Sequence, residues 1–140
     1  MKQIAVVYWS GTGNTEAMAE AVAQGARDAG AKASLFPAVG FDASMMDPYD
    51  ALAFGCPAMG SESLEAGEFE PMFERCRTKL SGRTIGLFGS YGWGDGEWMR
   101  SWEESCVADG AALAADPVIC CGAPDEEAAG ACAALGAALL

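Results

Sequence analysis

The sequence contains no histidine among its 140 residues. This absence excludes histidine-based catalytic triads, zinc sites built on imidazole and the usual imidazole general base. Basic residues are also scarce, because 8 lysines and arginines stand against 20 acidic residues, for a net charge of −12. A field of this sign repels nucleic acids and anionic lipid surfaces. We therefore expect no nucleic-acid or membrane partner, and partners with basic surfaces.

Long apolar runs are absent too. No stretch approaches the ~18 residues that a membrane helix requires, and the run 1–8 is too short for a secretory signal. The length and the 51% apolar content predict one globular domain over 1–140, which we expect to be a cytoplasmic monomer. No Cys-x-x-Cys pair occurs, and reduced, buried thiols are predicted for the six cysteines: Cys56, Cys76, Cys106, Cys120, Cys121 and Cys132.

Apolar runs of strand length alternate with segments of helical periodicity along the whole chain. Strict alternation of this kind predicts an α/β fold with a single doubly wound, five-stranded parallel sheet and helices on both faces. Ligands of such sheets bind beyond the carboxyl ends of the strands. The predicted strands are Ile4–Tyr8, Ala33–Phe36, Tyr49–Gly55, Thr84–Phe88 and a last one around Val118–Cys120; helices are expected from Asn14, over 69–80, over 98–106 and over 128–139.

The first strand is followed by a loop of small residues and hydrogen-bond donors that leads into a helix. Its residues are Ser10, Gly11, Thr12, Gly13, Asn14 and Thr15. Backbone N–H groups at a helix start, together with hydroxyl and amide donors, form a site for an anion, and phosphate is the expected one. The alternative is a plain turn that Thr12 or Asn14 caps.

Other phosphate motifs do not match this loop. It has no lysine for a Walker motif, and Glu16 stands where a dinucleotide fingerprint has its third glycine. It also lacks the cysteine and arginine of a cysteine phosphatase. Neutral donors hold a phosphate without activating it, so binding is indicated and phosphoryl transfer is not. A hydrolase that uses Ser10 with Glu16 as its base is a remote alternative.

Two further loops follow the third and fourth predicted strands. A methionine in the first is polarisable, and the glycine after it leaves the next peptide free to take either orientation. Aromatic side chains in the second can pack on a flat ligand. A planar ring attached to a phosphate, as in flavin mononucleotide (FMN), would fit all three loops. The candidate residues are Pro57, Ala58, Met59, Gly60, Ser61 and Glu62 in one loop and Ser90, Tyr91, Gly92, Trp93 and Gly94 in the other.

Three motifs in this order closely resemble those of the short-chain flavodoxins of anaerobes: VVYWSGTGNTE at 6–16, MG at 59–60 and FGSYGWGDG at 88–96. The likeness runs nearly end to end. It implies strand order 2-1-3-4-5 with FMN between the first and third strands. It also implies that Met59 lies on one face of the flavin and Trp93 on the other, with the phosphate held by Ser10, Thr12, Asn14, Thr15 and Ser90.

The resemblance implies an electron carrier that is not an enzyme. The Gly60–Ser61 peptide would turn its carbonyl towards N5 of the neutral semiquinone, and Glu62 would accept a hydrogen bond from N3. Pro57 and Ser61 depart from the residues common in this family. A storage or regulatory module that binds FMN without shuttling electrons is the alternative function. Because the chain is acidic, a second electron is opposed, which predicts a low-potential donor to basic-faced redox enzymes.

Overall fold

The computed structural model describes residues 1–140, in which strands and helices alternate. No helix is long and apolar enough to cross a membrane. The strands are β1 (Gln3–Tyr8), β2 (Lys32–Pro37), β3 (Ala51–Gly55), β4 (Thr84–Tyr91), β5 (Ala112–Leu113) and β6 (Val118–Cys121), and the helices are α1 (Asn14–Asp28), α2 (Phe69–Arg77), α3 (Glu97–Ala108) and α4 (Glu126–Ala138). Two short 3₁₀ helices, Ala38–Gly40 and Ala43–Met45, lie in the connection for which the sequence predicts no structure.

All strands pair in parallel in the order β2-β1-β3-β4-β5, and β6 pairs with β4 beyond β5. The predicted doubly wound sheet and its strand order are therefore confirmed. The order reverses at β1, which pairs with β2 on one side and with β3 on the other. The loops that leave β1 and β3 consequently diverge at the carboxyl edge, and a cleft opens between them.

Alternate residues of the central strands face opposite layers of the core. Ile4 and Val6 pack under α1 and α4, whereas Ala5 and Val7 pack under α2 and α3. Strands that are buried on both faces need this continuous apolar sequence, and β3 is buried at every position. Both faces of the sheet are thus covered, and the diverging loops at the carboxyl edge are the ones expected to bind a ligand.

Helices α1 and α4 approach each other closely because glycines face the neighbouring backbone. A Cβ at Gly25 would lie 2.1 Å from the Ala133 carbonyl oxygen, and one at Gly136 would lie 2.0 Å from the Val22 carbonyl oxygen. Both distances are far below contact, so any side chain at these positions would push the helices apart. The sequence pattern gives no sign of this close contact.

Several strand ends differ from the predicted ones by one or two residues, and two differences are larger. β4 continues through Tyr91, because Gly89 to Tyr91 pair with β6. The fifth position of the sheet holds two short strands instead of one: the chain leaves the ladder after Ala114, and Pro117, which has no N–H to donate, precedes the second strand.

The cysteine prediction is wrong at two positions. All six thiols are free, and Cys56, Cys76, Cys106 and Cys132 are buried as predicted. Cys120, by contrast, is half-buried and Cys121 is exposed. Both lie in β6, the outermost strand, which α4 covers only in part, so neither position is enclosed in the core.

Candidate functional site

The loop after β1 presents free backbone N–H groups at the start of α1. The residue that precedes the helix is Gly13, with φ 99°, and no side chain caps the helix. The Gly13 amide donates to Ser10 Oγ at 3.0 Å, whereas the amides of Asn14, Thr15 and Glu16 donate to no group of the chain. The plain turn capped by Thr12 or Asn14 is therefore excluded. Unpaired amides at a helix N-terminus are suited to bind an anion.

Two buried hydroxyl groups connect this loop to β4. Thr15 is 1% exposed and Ser90 is 6% exposed, and they are the buried polar residues of the core. Their Oγ1 and Oγ atoms lie 3.3 Å apart. Each hydroxyl has a donor and two acceptor sites, so this one contact leaves both side chains able to bond a ligand. The pair thus joins the two predicted phosphate-binding segments.

The segment after β3 forms a tight turn. The Glu62 amide donates to the Met59 carbonyl at 2.9 Å, and the Met59 amide donates to the Ser63 carbonyl at 3.0 Å. Neither Gly60 nor Ser61 has a positive φ; the left-handed residue is Glu62, at φ 55°. A glutamate is uncommon in that conformation and needs stabilising contacts to hold it there.

The Glu62 side chain provides those contacts by binding the start of α3. Its Oε2 accepts a hydrogen bond from the Trp98 amide at 3.1 Å. Its Oε1 lies over Gly94, where a Cβ would be 2.2 Å away. The resemblance implies a flavin role for Glu62, and the structure adds a second role, because this carboxylate joins the turn after β3 to the loop after β4.

A buried network beneath both loops fixes their spacing. Trp98 Nε1 donates to the Cys56 carbonyl at 3.2 Å, and the Ala58 amide donates to the Ser90 carbonyl at 3.0 Å. A Cβ at Gly89 would lie 2.2 Å from the Cys56 oxygen, so only glycine permits this approach. Burial raises the pKa of the Cys56 thiol to about 12, which leaves it protonated and unreactive.

A cleft of about 360 Å³ opens between these loops. Trp9 and Gly122 line it, and neither is among the site residues predicted from the sequence. Trp9 directly follows β1 and Gly122 directly follows β6, so the carboxyl-end rule could have indicated both. The predicted residues that line the cleft are Gly11, Thr12, Asn14, Pro57, Ala58, Met59, Ser90, Tyr91 and Gly92.

The remaining predicted residues lie next to the cleft without lining it. The Trp93 side chain is 63% exposed, so the structure does not bring it into the cleft. The others lie in the phosphate loop, in the turn after β3 and in the loop after β4: Ser10, Gly13, Thr15, Gly60, Ser61, Glu62 and Gly94.

Charge around the cleft is negative. No lysine or arginine lines it. In the adjoining loops, the carboxylates of Glu62, Asp95 and Glu97 offer oxygen atoms within 4.8 Å of one another. Arg100 pairs with Asp95 at 3.1 Å, and it is the basic member of the one ion pair in this region. Neutral donors therefore face the phosphate end, and three carboxylates with a single basic partner flank the other.

These features fit FMN. Free amides and buried hydroxyls suit a phosphate, and Met59, Trp9 and Tyr91 offer polarisable or aromatic surface to a flat ring. Fold and site together define a doubly wound α/β protein that binds a phosphorylated planar cofactor at its carboxyl edge.

Comparison with known proteins shows the family. The flavodoxin family model matches residues 6–135, and the chain belongs to the flavodoxin family. It is 46% identical over 121 residues to the flavodoxin of Clostridium beijerinckii. The aligned region covers 86% of this chain and 88% of the Clostridium protein. It is 44% identical over 119 residues to the flavodoxin of Megasphaera elsdenii, covering 83% and 85%. The predicted resemblance is confirmed, and FMN is the cofactor of this family.

A solved structure agrees with the sequence comparisons. The solution structure of the two-electron reduced Megasphaera elsdenii flavodoxin matches with a TM-score of 0.90 and 42% identity, covering 97% of each chain. Flavodoxins are electron-transfer proteins rather than enzymes. They pass electrons to redox partners.

Proposed function

We propose that this chain is a low-potential carrier that exchanges one electron at a time between redox enzymes, cycling FMN between the neutral semiquinone and the hydroquinone. The proposal includes a single FMN-binding domain over residues 1–140 that acts as a monomer in the cytoplasm. The observation on which it depends is that a neutral phosphate loop and a glycine-containing turn meet at one cleft, which carboxylates of the adjoining segments flank.

The phosphate end is assigned to the first loop. The amides of Asn14 to Glu16 and the hydroxyls of Thr15 and Ser90 would bind the phosphate oxygens. Ser10, Thr12 and the Asn14 side chain would complete the shell. Since none of these groups is charged, the site holds the phosphate by dipoles and does not activate it.

The ring end is assigned to the segments after β3 and β4. Met59 and the aromatic residues of the cleft would exclude water from the ring. The turn at Gly60–Ser61 is open, because a Cβ at Gly60 would meet no atom within 4 Å, so this peptide has room to change orientation. A carbonyl turned towards N5 would stabilise the neutral one-electron state, and Glu62 would accept from N3.

A low potential for the second electron follows from charge. This electron would add a negative charge near Glu62, Asp95 and Glu97, of which only Asp95 has a basic partner, in a cleft that no basic residue lines. Each ~59 mV corresponds to a tenfold change in a one-electron equilibrium, so ~2–3 kcal/mol of repulsion lowers the potential by ~100 mV. The same acidic rim favours partners with basic surfaces.

An anaerobic redox titration of the FMN-loaded protein, followed by visible absorption, tests the proposal. We expect two separate one-electron steps with accumulation of the blue neutral semiquinone, and the second step at the lower potential. Gly60→Val, which restricts the turn, should reduce that accumulation, whereas Gly130→Ala on α4 should not. A single two-electron step in the unmodified protein would instead favour the FMN storage or regulatory function.

A further inference from the structure

A second cleft, of about 310 Å³, opens at the carboxyl edge on the other side of Trp9. It lies between the end of β1, the phosphate loop at Ser10, Gly11 and Gly13, the first turn of α1 and the segment after β2, and we call it the Tyr8 cleft. Tyr8, Trp9, Glu16, Val39 and Glu68 are the residues that determine its chemistry. Trp9 lines both this cleft and the flavin cleft, so the two are adjacent.

The Tyr8 cleft contains negative charge that no basic residue of the chain compensates. Glu16 Oε2 accepts from the Tyr8 hydroxyl at 3.1 Å, and Glu68 Oε1 accepts from Trp9 Nε1 at 2.8 Å. Neither carboxylate takes part in any of the five ion pairs of the molecule. Burial, the hydrogen bond to Glu16 and the charges of Glu16 and Glu20 together raise the pKa of Tyr8.

The hydrogen bonds fix the geometry of these groups. Because the phenol and the indole donate to the two carboxylates, each acid is held against an aromatic ring. A ring beside a carboxylate is suited to a flat cation, which stacks on the ring face while it donates to the oxygens.

Apolar surface forms the remaining wall. Val39 is 70% exposed, and Pro37 and Ala38 line the cleft beside it. An exposed valine next to two carboxylates suits a ligand with an apolar stem and a charged end. An arginine side chain has this combination, since its methylene groups pack on apolar surface while its guanidinium remains polar.

We propose that the Tyr8 cleft is an anchor site for an arginine side chain that projects from the basic surface of a protein partner. The guanidinium donates to Glu16 and Glu68 and stacks on the tyrosine or tryptophan ring, and the stem contacts Val39. The identity of that partner as a redox enzyme rests on the proposed function, whereas arginine binding itself does not. An arginine here would seat the partner directly beside the flavin cleft.

The experiment uses FMN-loaded protein at low ionic strength, with the peptide acetyl-Gly-Arg-Gly-amide as probe. Two-dimensional ¹H–¹⁵N NMR should show saturable shifts at the Trp9 indole and the Val39 amide. The citrulline peptide, which is neutral and of the same shape, should give none. Equal shifts with citrulline, or shifts spread over the surface, would overturn the proposal.

A matched pair of variants separates this site from net charge. Glu16→Gln/Glu68→Gln should weaken peptide binding at least tenfold, whereas Glu103→Gln/Glu104→Gln on α3, with the same change in charge, should weaken it less than twofold. Equal weakening by both pairs would overturn the proposal, as would identical shifts from Mg²⁺ at the peptide concentration.

The outcome is independent of the carrier proposal. FMN affinity and the redox titration should be unchanged in Glu68→Gln, which removes one of the two carboxylates, because Glu68 lies outside both the phosphate loop and the flavin cleft. A single two-electron step together with intact arginine binding would contradict the proposed function alone. Normal redox behaviour without arginine binding would contradict the anchor site alone.

Discussion

At the scale of single residues, the site depends on which polar groups remain free. The loop after β1 keeps three backbone amides without an internal partner, and Thr15 and Ser90 keep hydroxyls inside the core. Amides without an internal partner, and hydroxyls with only one partner, have bonding capacity that the fold does not use. A ligand with several acceptor oxygens, such as a phosphate, satisfies these donors together.

Thr15→Val tests this assignment. The substitution keeps the shape of the side chain but removes a hydroxyl, so we expect FMN affinity to fall about tenfold, the effect of about one hydrogen bond to a charged group. Riboflavin, which lacks the phosphate, should bind with the same affinity to both proteins. Thr84→Val, at the opposite end of β4, is the control and should leave FMN affinity unchanged. Equal losses for FMN and riboflavin would show that Thr15 acts only in packing.

At the scale of elements, Glu65 determines how the chain passes from the turn after β3 into α2. Its carboxylate accepts hydrogen bonds from the amides of Gly67, Glu68 and Phe69 at 2.7, 2.7 and 2.9 Å. Its own amide donates to Cys56 Sγ at 3.4 Å. The Glu65 carboxylate thus accepts from the N–H groups at the start of α2. The Glu65 amide holds the same segment against Cys56 at the end of β3, beneath the cleft.

Glu65 should make folding stability depend on pH. Desolvation raises the pKa of Glu65, but the three amide hydrogen bonds outweigh it and lower the pKa below the ordinary value of 4.5. The pKa of Glu65 is therefore lower in the folded state than in the unfolded state. The stability that the ionised carboxylate contributes is complete above the unfolded-state pKa, and it is lost as the pH falls through the folded-state pKa. Urea unfolding of the wild type and Glu65→Gln should differ at pH 7 and converge in acid. A difference independent of pH would contradict this.

The contact between α1 and α4 gives a second prediction at this scale. Gly136→Ala would place a Cβ 2.0 Å from the Val22 carbonyl, and we expect a loss of about 1–3 kcal/mol in the free energy of unfolding. Gly130→Ala lies on the same helix, where a Cβ meets nothing within 4 Å, and should stabilise by about 0.5–1 kcal/mol. Urea denaturation measures both. Equal effects of the two substitutions would exclude the close helix contact.

At the scale of the whole molecule, most of the basic residues lie away from the site, and Arg100 is the exception. Arg75, Arg77 and Lys79 pair with Asp42, Asp109 and Asp47, and Arg83 donates to the Met46 and Tyr49 carbonyls. These residues lie near the amino ends of the strands. The carboxyl edge consequently has carboxylates that few basic residues compensate, and the proposed function would turn this edge towards the partner.

Electron transfer to a basic partner should therefore slow as salt is added. Stopped-flow rates from the reduced protein to a basic acceptor such as mitochondrial cytochrome c should fall tenfold or more between about 0.01 and 1 M salt, as the Debye length shrinks from about 30 to about 3 Å. Rates to an uncharged small acceptor should change little. A flat salt dependence with the basic acceptor would exclude electrostatic steering.

The layered arrangement of helices on a parallel sheet could be predicted from the sequence, but the close contacts between distant segments could not. Strict alternation and the glycine-rich loop predicted the parallel sheet and the anion site, because both follow from local patterns. Gly89, by contrast, suggested a loop but belongs to a strand, where it permits contact with the Cys56 carbonyl. The cap that Glu62 gives to α3 depends on distant segments meeting, which no local pattern records, whereas the position of Trp9 directly after β1 could have indicated its place in the cleft.

The central claim is that uncharged donors at the start of α1 bind the phosphate of FMN. Isothermal calorimetry of refolded apoprotein with FMN and with riboflavin tests it most directly. We predict one FMN site per chain and an affinity for riboflavin lower by at least a hundredfold. Equal affinity for both ligands, or no heat from FMN, would contradict the account.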